Sequence, residues 1–262
     1  MQTFLLSLLA VLAPPAAAAE PASAPFDRHL ENFARLCRTA PTPIEREKAE
    51  QQLLKLLNGE RALVPHVIDL FENNDPAAAR EAREQALSTI CQSGAPALKF
   101  VPTIMMMHRQ KLLSPFKAME GPFTRTIGNR VCQLKQPPAA LVDLIDHPDT
   151  QVRQWAFRVL SKFGPAAKSF TPKMIEILSA AEQDAQNHLG ALRVIQAIGP
   201  DAKSALPAVM PLLRVDGLAY SVIAALRGIG SPAVEPLIEL LSDPTTVLRA
   251  RAATGLGWIG PD

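Results

Sequence analysis

Apolar residues recur along this chain at helical spacing and inside a repeated frame. Pro148–Gly164 (PDTQVRQWAFRVLSKFG) returns ninety-six residues later as Pro244–Gly260 (PTTVLRARAATGLGWIG). Counted from each proline, both copies carry an aliphatic residue at +4, arginine at +5, alanine at +8, leucine at +12, an apolar residue at +15 and glycine at +16. That spacing places the apolar set on one face of a helix.

Glycines that close a helical pattern mark the units: Gly94, Gly164, Gly199, Gly230 and Gly260, with Asn58-Gly59 as a looser early example. The intervals are 35, 70, 35, 31 and 30, and the doubled one hides a unit at Thr124–Leu134, where Lys135-Gln136 replaces the glycine. Glycine suits the residue just past a helix end because the left-handed conformation costs it nothing. A second proline follows (Pro65, Pro102, Pro172, Pro207, Pro236), which predicts the first turn of a second helix. Apolar runs such as Leu141–Ile145 and Leu237–Leu241 continue it, and Asp75-Pro76, His147-Pro148 and Asp243-Pro244 turn the chain into the next unit.

The pattern predicts an all-α chain of about fourteen helices in roughly seven antiparallel pairs, each too small to bury its apolar face without a neighbour. Phe26–Arg38 and Ile44–Leu57, dense in charge, read as an end cap. One α-solenoid domain is expected over 20–262, with an irregular basic unit at about 95–136.

Met1–Ala19 has no charged side chain, and its apolar run Phe4–Ala13 precedes Pro14-Pro15 and an alanine tract. This is the layout of a secretory signal peptide, expected to be cut after Ala19 and to place the protein in a periplasm or outside the cell without a transmembrane anchor. Export permits disulfides, yet the chain has three cysteines, Cys37, Cys91 and Cys132. Cys91 and Cys132 occupy matching positions, each five residues before a proline. They bridge if their side chains face each other across neighbouring helices; otherwise they are small buried thiols.

With Leu160–Pro165, Leu248-Arg249, Ala252 and Leu256–Pro261, the segment Pro148–Ala156 resembles HEAT repeats, particularly the short subtype of phycobilin-lyase-related proteins. The resemblance is clear over 137–261, fair over 61–102 and weak before that. It implies a right-handed superhelix of helix pairs that binds proteins, with activity in a few members.

No catalytic constellation, metal site or cofactor site emerges from the sequence. Gly255–Gly260 satisfies GxGxxG but lies at a helix end, whereas a dinucleotide fingerprint needs a preceding strand. Met105-Met106-Met107-His108 suggests soft-metal ligation, but consecutive helical residues point in different directions, so methionine core filling accounts for it. Arg153 and Arg249 share one repeat position and are expected to pair with Asp149 or to cap a neighbouring helix, more than to form an anion-binding strip. The five histidines are dispersed.

Net charge is only +2, but residues 85–142 hold seven basic side chains (Lys99, Arg109, Lys111, Lys117, Arg125, Arg130, Lys135) against one acid, Glu120. The helix breakers Ser114-Pro115 and Gly121-Pro122 flank Phe116 and Lys117 there, as in an inserted loop. Lys99, Arg109, Lys111, Phe116 and Lys117 are the expected partner-binding residues, for an acidic protein, anionic glycan or lipid head group. Nucleic acid is not expected, given export and near neutrality. The functional expectation is a non-catalytic exported scaffold for a protein partner. Its alternatives are a phycobilin-lyase-like modifying enzyme or chaperone using a similar cradle, and a nucleic-acid-binding protein of HEAT type.

Overall fold

The computed structural model describes residues 32–37, 39–57, 59–70, 76–109, 122–180 and 184–260. The segment expected to be a signal peptide and its expected cleavage site lie outside them, as do Lys111, Phe116 and Lys117. The described residues are mostly helical, with no strand among them, and none of their helices is long and apolar enough to cross a membrane. Two compact units are present, Met1–Val64 and Pro65–Asp262.

In the first unit, residues 32–37 are helical and α1 spans Pro43–Leu56. Thr42 and Glu45 form a reciprocal capping box at its start, satisfying amides that the first turn leaves without partners. Ala49, Leu53 and Leu57, four residues apart, supply its buried edge, while most other α1 side chains are exposed.

The second unit holds α2 (Val64–Leu70, entered from the boundary), α3 (Pro76–Gln92), α4 (Val101–Arg109), α5 (Pro122–Val131), α6 (Leu141–Ile145), α7 (Thr150–Ser161), α8 (Thr171–Ser179), α9 (Ala185–Ile198), α10 (Leu206–Val209), α11 (Ala219–Ile229), α12 (Val234–Leu240) and α13 (Thr246–Ile259). Asp149 and Asp184 cap α7 and α9 by accepting the amides of Gln151 (2.9 Å) and Gln186 (3.0 Å). At the unit ends, Gly94, Gly164, Gly199, Gly230 and Gly260 all have positive φ, between 57° and 81°, so a side chain there would be strained.

The structure adds an element between glycine and second helix that the sequence pattern leaves as a turn. A 3₁₀ segment fills it at Ala95–Phe100, Gly164–Phe170, Gly199–Ala205 and Ser231–Ala233. Each buries one alanine (Ala97, Ala167, Ala202, Ala233) three residues after the glycine. The spaced prolines then fall in the first turns of α4, α8, α10 and α12, as the fixed φ of proline allows.

Burial follows the repeat frame. Ala156 and Leu160 in α7, Ala191, Ile195 and Ile198 in α9, Val222, Leu226 and Ile229 in α11, and Ala252 in α13 are all 0% exposed. The first helices of the units contact one another in series: α3 with α5, α7 with α9, α9 with α11, α11 with α13. Trp155 links α5 and α7 by donating its indole N–H to the Thr124 carbonyl at 3.3 Å. Approach is closest where a glycine admits a neighbour. A Cβ at Gly190 would overlap the Phe157 ring, and one at Gly228 would overlap the Gln196 backbone. The second helices are shorter and pack on the first ones, α6 on α7, α8 on α9 and α12 on α13.

Candidate docking face

The repeat arginine binds the turn that precedes it. Arg153 donates to the carbonyls of His147 (2.9 Å) and Pro148 (2.7 Å) and to the Thr150 hydroxyl (2.8 Å). Arg249 repeats this set with Asp243 (2.8 Å), Pro244 (3.0 Å) and Thr246 (3.0 Å). These carbonyls lie in the turn outside any helical ladder, and the planar guanidinium can span them. Arg153 alone reaches onward to the start of α9, bonding Asn187 Oδ1 at 2.9 Å and lying 3.5 Å from Asp184. The expected pairing with Asp149 does not form: that carboxylate is committed to the Gln151 amide and to Arg109. Burial draws the Asp149 carboxyl upward, but those bonds outweigh it and hold it below the usual carboxylate range.

The predicted basic site divides. Arg109, half exposed at the end of α4, is joined to Asp149. Burial lowers the Lys99 ammonium and Asp143 raises it in opposition. Both side chains are thus electrostatically coupled to α6 and α7. Cys91 and Cys132 stand unbridged, each turned toward the next first helix. Their thiols lie 3.5 Å from the Phe123 carbonyl and 3.9 Å from that of Val159. Burial pushes the Cys91 thiol up to about 12 and raises that of Cys132 against the pull of Lys162, so neither is prepared for thiolate chemistry.

A different charge pattern emerges from α5 onward when first and second helices are separated; α3, the first helix before them, carries Glu81 and Glu84 beside Arg80 and Arg83. Helices α5, α7, α9, α11 and α13 contain eight arginines (Arg125, Arg130, Arg153, Arg158, Arg193, Arg227, Arg249, Arg251) and no lysine, aspartate or glutamate. Their partners hold four acids and one base: Asp143 in α6, Lys173 and Glu176 in α8, Glu235 and Glu239 in α12. The acids at the unit boundaries are occupied, Asp149 by Arg109, Asp184 by Arg153, Asp216 by Arg251 and Asp243 by Arg214.

Four of the arginines share one solvent-facing stripe. Counted back from the unit-ending glycine, or from Lys135 in its place, Arg125 stands at 10, Arg158 and Arg193 at 6, and Arg227 at 3. Residues spaced by four and three fall on the same side of a helix. All four are exposed or partly exposed, on the consecutive first helices α5, α7, α9 and α11. On α11, Tyr220, 73% exposed and seven residues before Arg227, meets Trp258 of α13 edge to face with ring centroids 5.1 Å apart. The inserted-loop reading centred on 95–136 captures only the beginning of this row, at Arg125. The signal was available in the sequence, but only after the two helices of each unit are tallied apart.

Among the described residues, no group of three or more His, Cys, Asp or Glu side chains is placed to hold a metal ion. Met105 and Met107 of the methionine run are buried in α4. Gly255–Gly260 occupies the last turns and end of α13, where Gly255 packs on Leu237.

No family model matches the chain, and neither does any curated protein. Solved structures that align with it include two engineered proteins. One is 15% identical with a TM-score of 0.37, covering 92% of this chain and 72% of its own. The other is 16% identical with a TM-score of 0.35, covering 88% and 96%. Likeness at that level carries no argument for fold or function.

Proposed function

We propose that the chain is a non-catalytic helical-repeat scaffold of HEAT type that holds an acidic protein partner. In this reading the helix pairs stack into a right-handed superhelix, and the arginine row of α5, α7, α9 and α11 is the docking face. The carrying observation is the acid-free composition of those helices beside mostly acidic charge in their partners. A merely solvated surface has no need to exclude one sign of charge, whereas a face for an anionic partner does so to avoid like-charge contacts. Arginine with Tyr220 and Trp258 also matches the side chains enriched at protein contacts. The recurrence of the unit frame, the serial contacts of first helices and the positive-φ glycines support the stack.

The test is quadruple replacement, Arg125→Glu, Arg158→Glu, Arg193→Glu and Arg227→Glu, with binding of an acidic polypeptide read by anisotropy and folding by circular dichroism. Loss of binding with an unchanged spectrum supports the face; retained binding moves the site elsewhere. Export is part of the same proposal, and purified protein from the native source should begin at Glu20. A start before Ala16 would remove cleavage at the alanine tract from the reading.

A further inference from the structure

We infer that the arginine row receives an acidic, proline-bearing segment in polyproline II conformation, with a carboxylate at every third residue. This rests on the reading of that row as the partner site and specifies the partner's shape. Packed helices lie about 8–10 Å apart, and the four arginines occupy four successive first helices. Moving along the row, their positions shift toward the helix ends, from 10 to 6, 6 and 3 residues before the glycine. At 1.5 Å rise per residue those shifts are about 6, 0 and 4.5 Å along the helices, so the steps between neighbouring arginines are about 8–12 Å.

A partner chain must therefore offer negative charge on one side at that interval. In a β-strand, residues on one side recur at about 6.6 Å or 13 Å, because successive side chains alternate. Polyproline II has three residues per turn and about 3.1 Å rise, so every third residue returns to the same side at about 9.3 Å. That period fits the row, as does the roughly 10.5 Å between every seventh residue of an α-helix; polyproline II is the choice because it has little entropy left to lose on docking. The contact of exposed Tyr220 on α11 with part-exposed Trp258 on α13 supplies a second matching feature, since aromatic surfaces receive polyproline II segments. The proposed occupant spans about ten residues and meets arginines on all four helices.

Capped synthetic peptides test it by fluorescence anisotropy against the full mature chain. One is (Glu-Pro-Pro)₄; a second has the same composition with the four glutamates in one block; a third is a helical peptide with glutamates seven residues apart, about 10.5 Å. The in-phase peptide should bind at least about tenfold tighter than the blocked isomer, the four contacts acting together on one ligand. Each of R125Q, R158Q, R193Q and R227Q should weaken it by about two- to fivefold, the range of a single exposed ion pair. Equal binding of all three peptides, abolished in the quadruple glutamine variant, would overturn the spacing while leaving the docking face intact. Preference for the helical peptide would overturn the conformation. Failure of every peptide, or binding unchanged in the quadruple variant, would remove the docking face itself. So would selective retention of anionic vesicles or nucleic acid in place of all three peptides. Tyr220→Ala should weaken the proline-bearing peptide and leave the helical one unaffected; an equal effect on both would count against the aromatic contact.

Discussion

The first helices and the second helices of the units are built under different constraints. In α7, α9 and α11 the repeat frame fixes a fully buried ridge, and the opposite stripe carries only arginine among charged residues. In α6, α8 and α12 fewer residues are buried and the charged ones are acidic apart from Lys173, which bridges Asp146 (2.9 Å) and Glu176 (2.8 Å). Large apolar side chains are left outside on α12, where Ile238 is 46% exposed. A helix buried on two sides by its serial neighbours has little surface to spend, and what remains is uniform in sign. The second helices have more water-facing surface and follow ordinary surface composition.

The largest expected difference lies between a fully buried apolar residue of a first helix and a large apolar residue left outside on a second. Ile195→Ala in α9 should cost about 2–5 kcal/mol, the loss of buried methyls plus an unfilled cavity. Ile238→Ala in α12 should stay within about 0.5 kcal/mol. Urea denaturation monitored by circular dichroism decides it, and similar costs would mean the second helices carry as much of the core as the first.

Glycines within the first helices sharpen the point at a smaller scale. Gly228→Ala should lose about 1–3 kcal/mol because the new methyl meets the Gln196 backbone, which cannot swing aside. Gly257→Ala, where nothing lies within 4 Å, should gain about 0.5–1 kcal/mol from helix propensity. Opposite signs in the same denaturation assay would locate the tight seam between α9 and α11; a gain at both sites would abolish it.

Those two glycines also mark where sequence reading stops. Gly94, Gly164, Gly199, Gly230 and Gly260 were legible because a helix-ending glycine has a local cause in backbone sterics. Gly228 has none in its own segment; its cause is the α9 backbone. The buried set of α7, α9 and α11 was likewise legible from spacing, whereas the 3₁₀ segments were not, since their alanines are held by neighbours more than by local preference. Arg109 and Arg153 show the same limit at the site. Both stood out as charged residues, but that Asp149 would choose Arg109 depends on how α4 and α7 meet. The acid-free arginine row was present in the letters throughout. It becomes visible only when residues are grouped by helix position and not by a window along the chain, because charges two helices apart in sequence become neighbours by stacking.

The paired arginines give a narrower comparison. Arg153→Ala removes bonds to its own turn and to Asn187 on the next first helix, whereas Arg249→Ala removes only the turn bonds. Hydrogen bonds to a charged group contribute about 1.5–3 kcal/mol where partly buried, and less when exposed. Arg153→Ala should therefore destabilise by about 1–3 kcal/mol and Arg249→Ala by about half of that. Combining Arg153→Ala with Asn187→Ala should cost less than the sum of the two, because the contact can be lost only once. Strict additivity in that double-mutant cycle would show that the Arg153–Asn187 contact contributes nothing to stability.

The smallest effect lies at His147, in the same turn. Its Nδ1 accepts the Asp149 amide at 3.0 Å. Burial lowers the imidazole pKa, Asp149 pulls it up, and Arg153 and Arg109 push it down again, leaving it below its ordinary value of 6.5. The folded chain thus keeps His147 neutral at pH values where the unfolded chain has already bound a proton. Below about pH 6.5 the unfolded state binds more protons, so stability falls as pH drops through that value and continues to fall until the depressed folded pKa is reached. Urea midpoints measured between pH 7.5 and 5 should decline, and His147→Asn, which retains a short polar side chain for the turn, should flatten that decline without altering the second-helix substitutions' costs. An unchanged slope in His147→Asn would assign the acid sensitivity to another group.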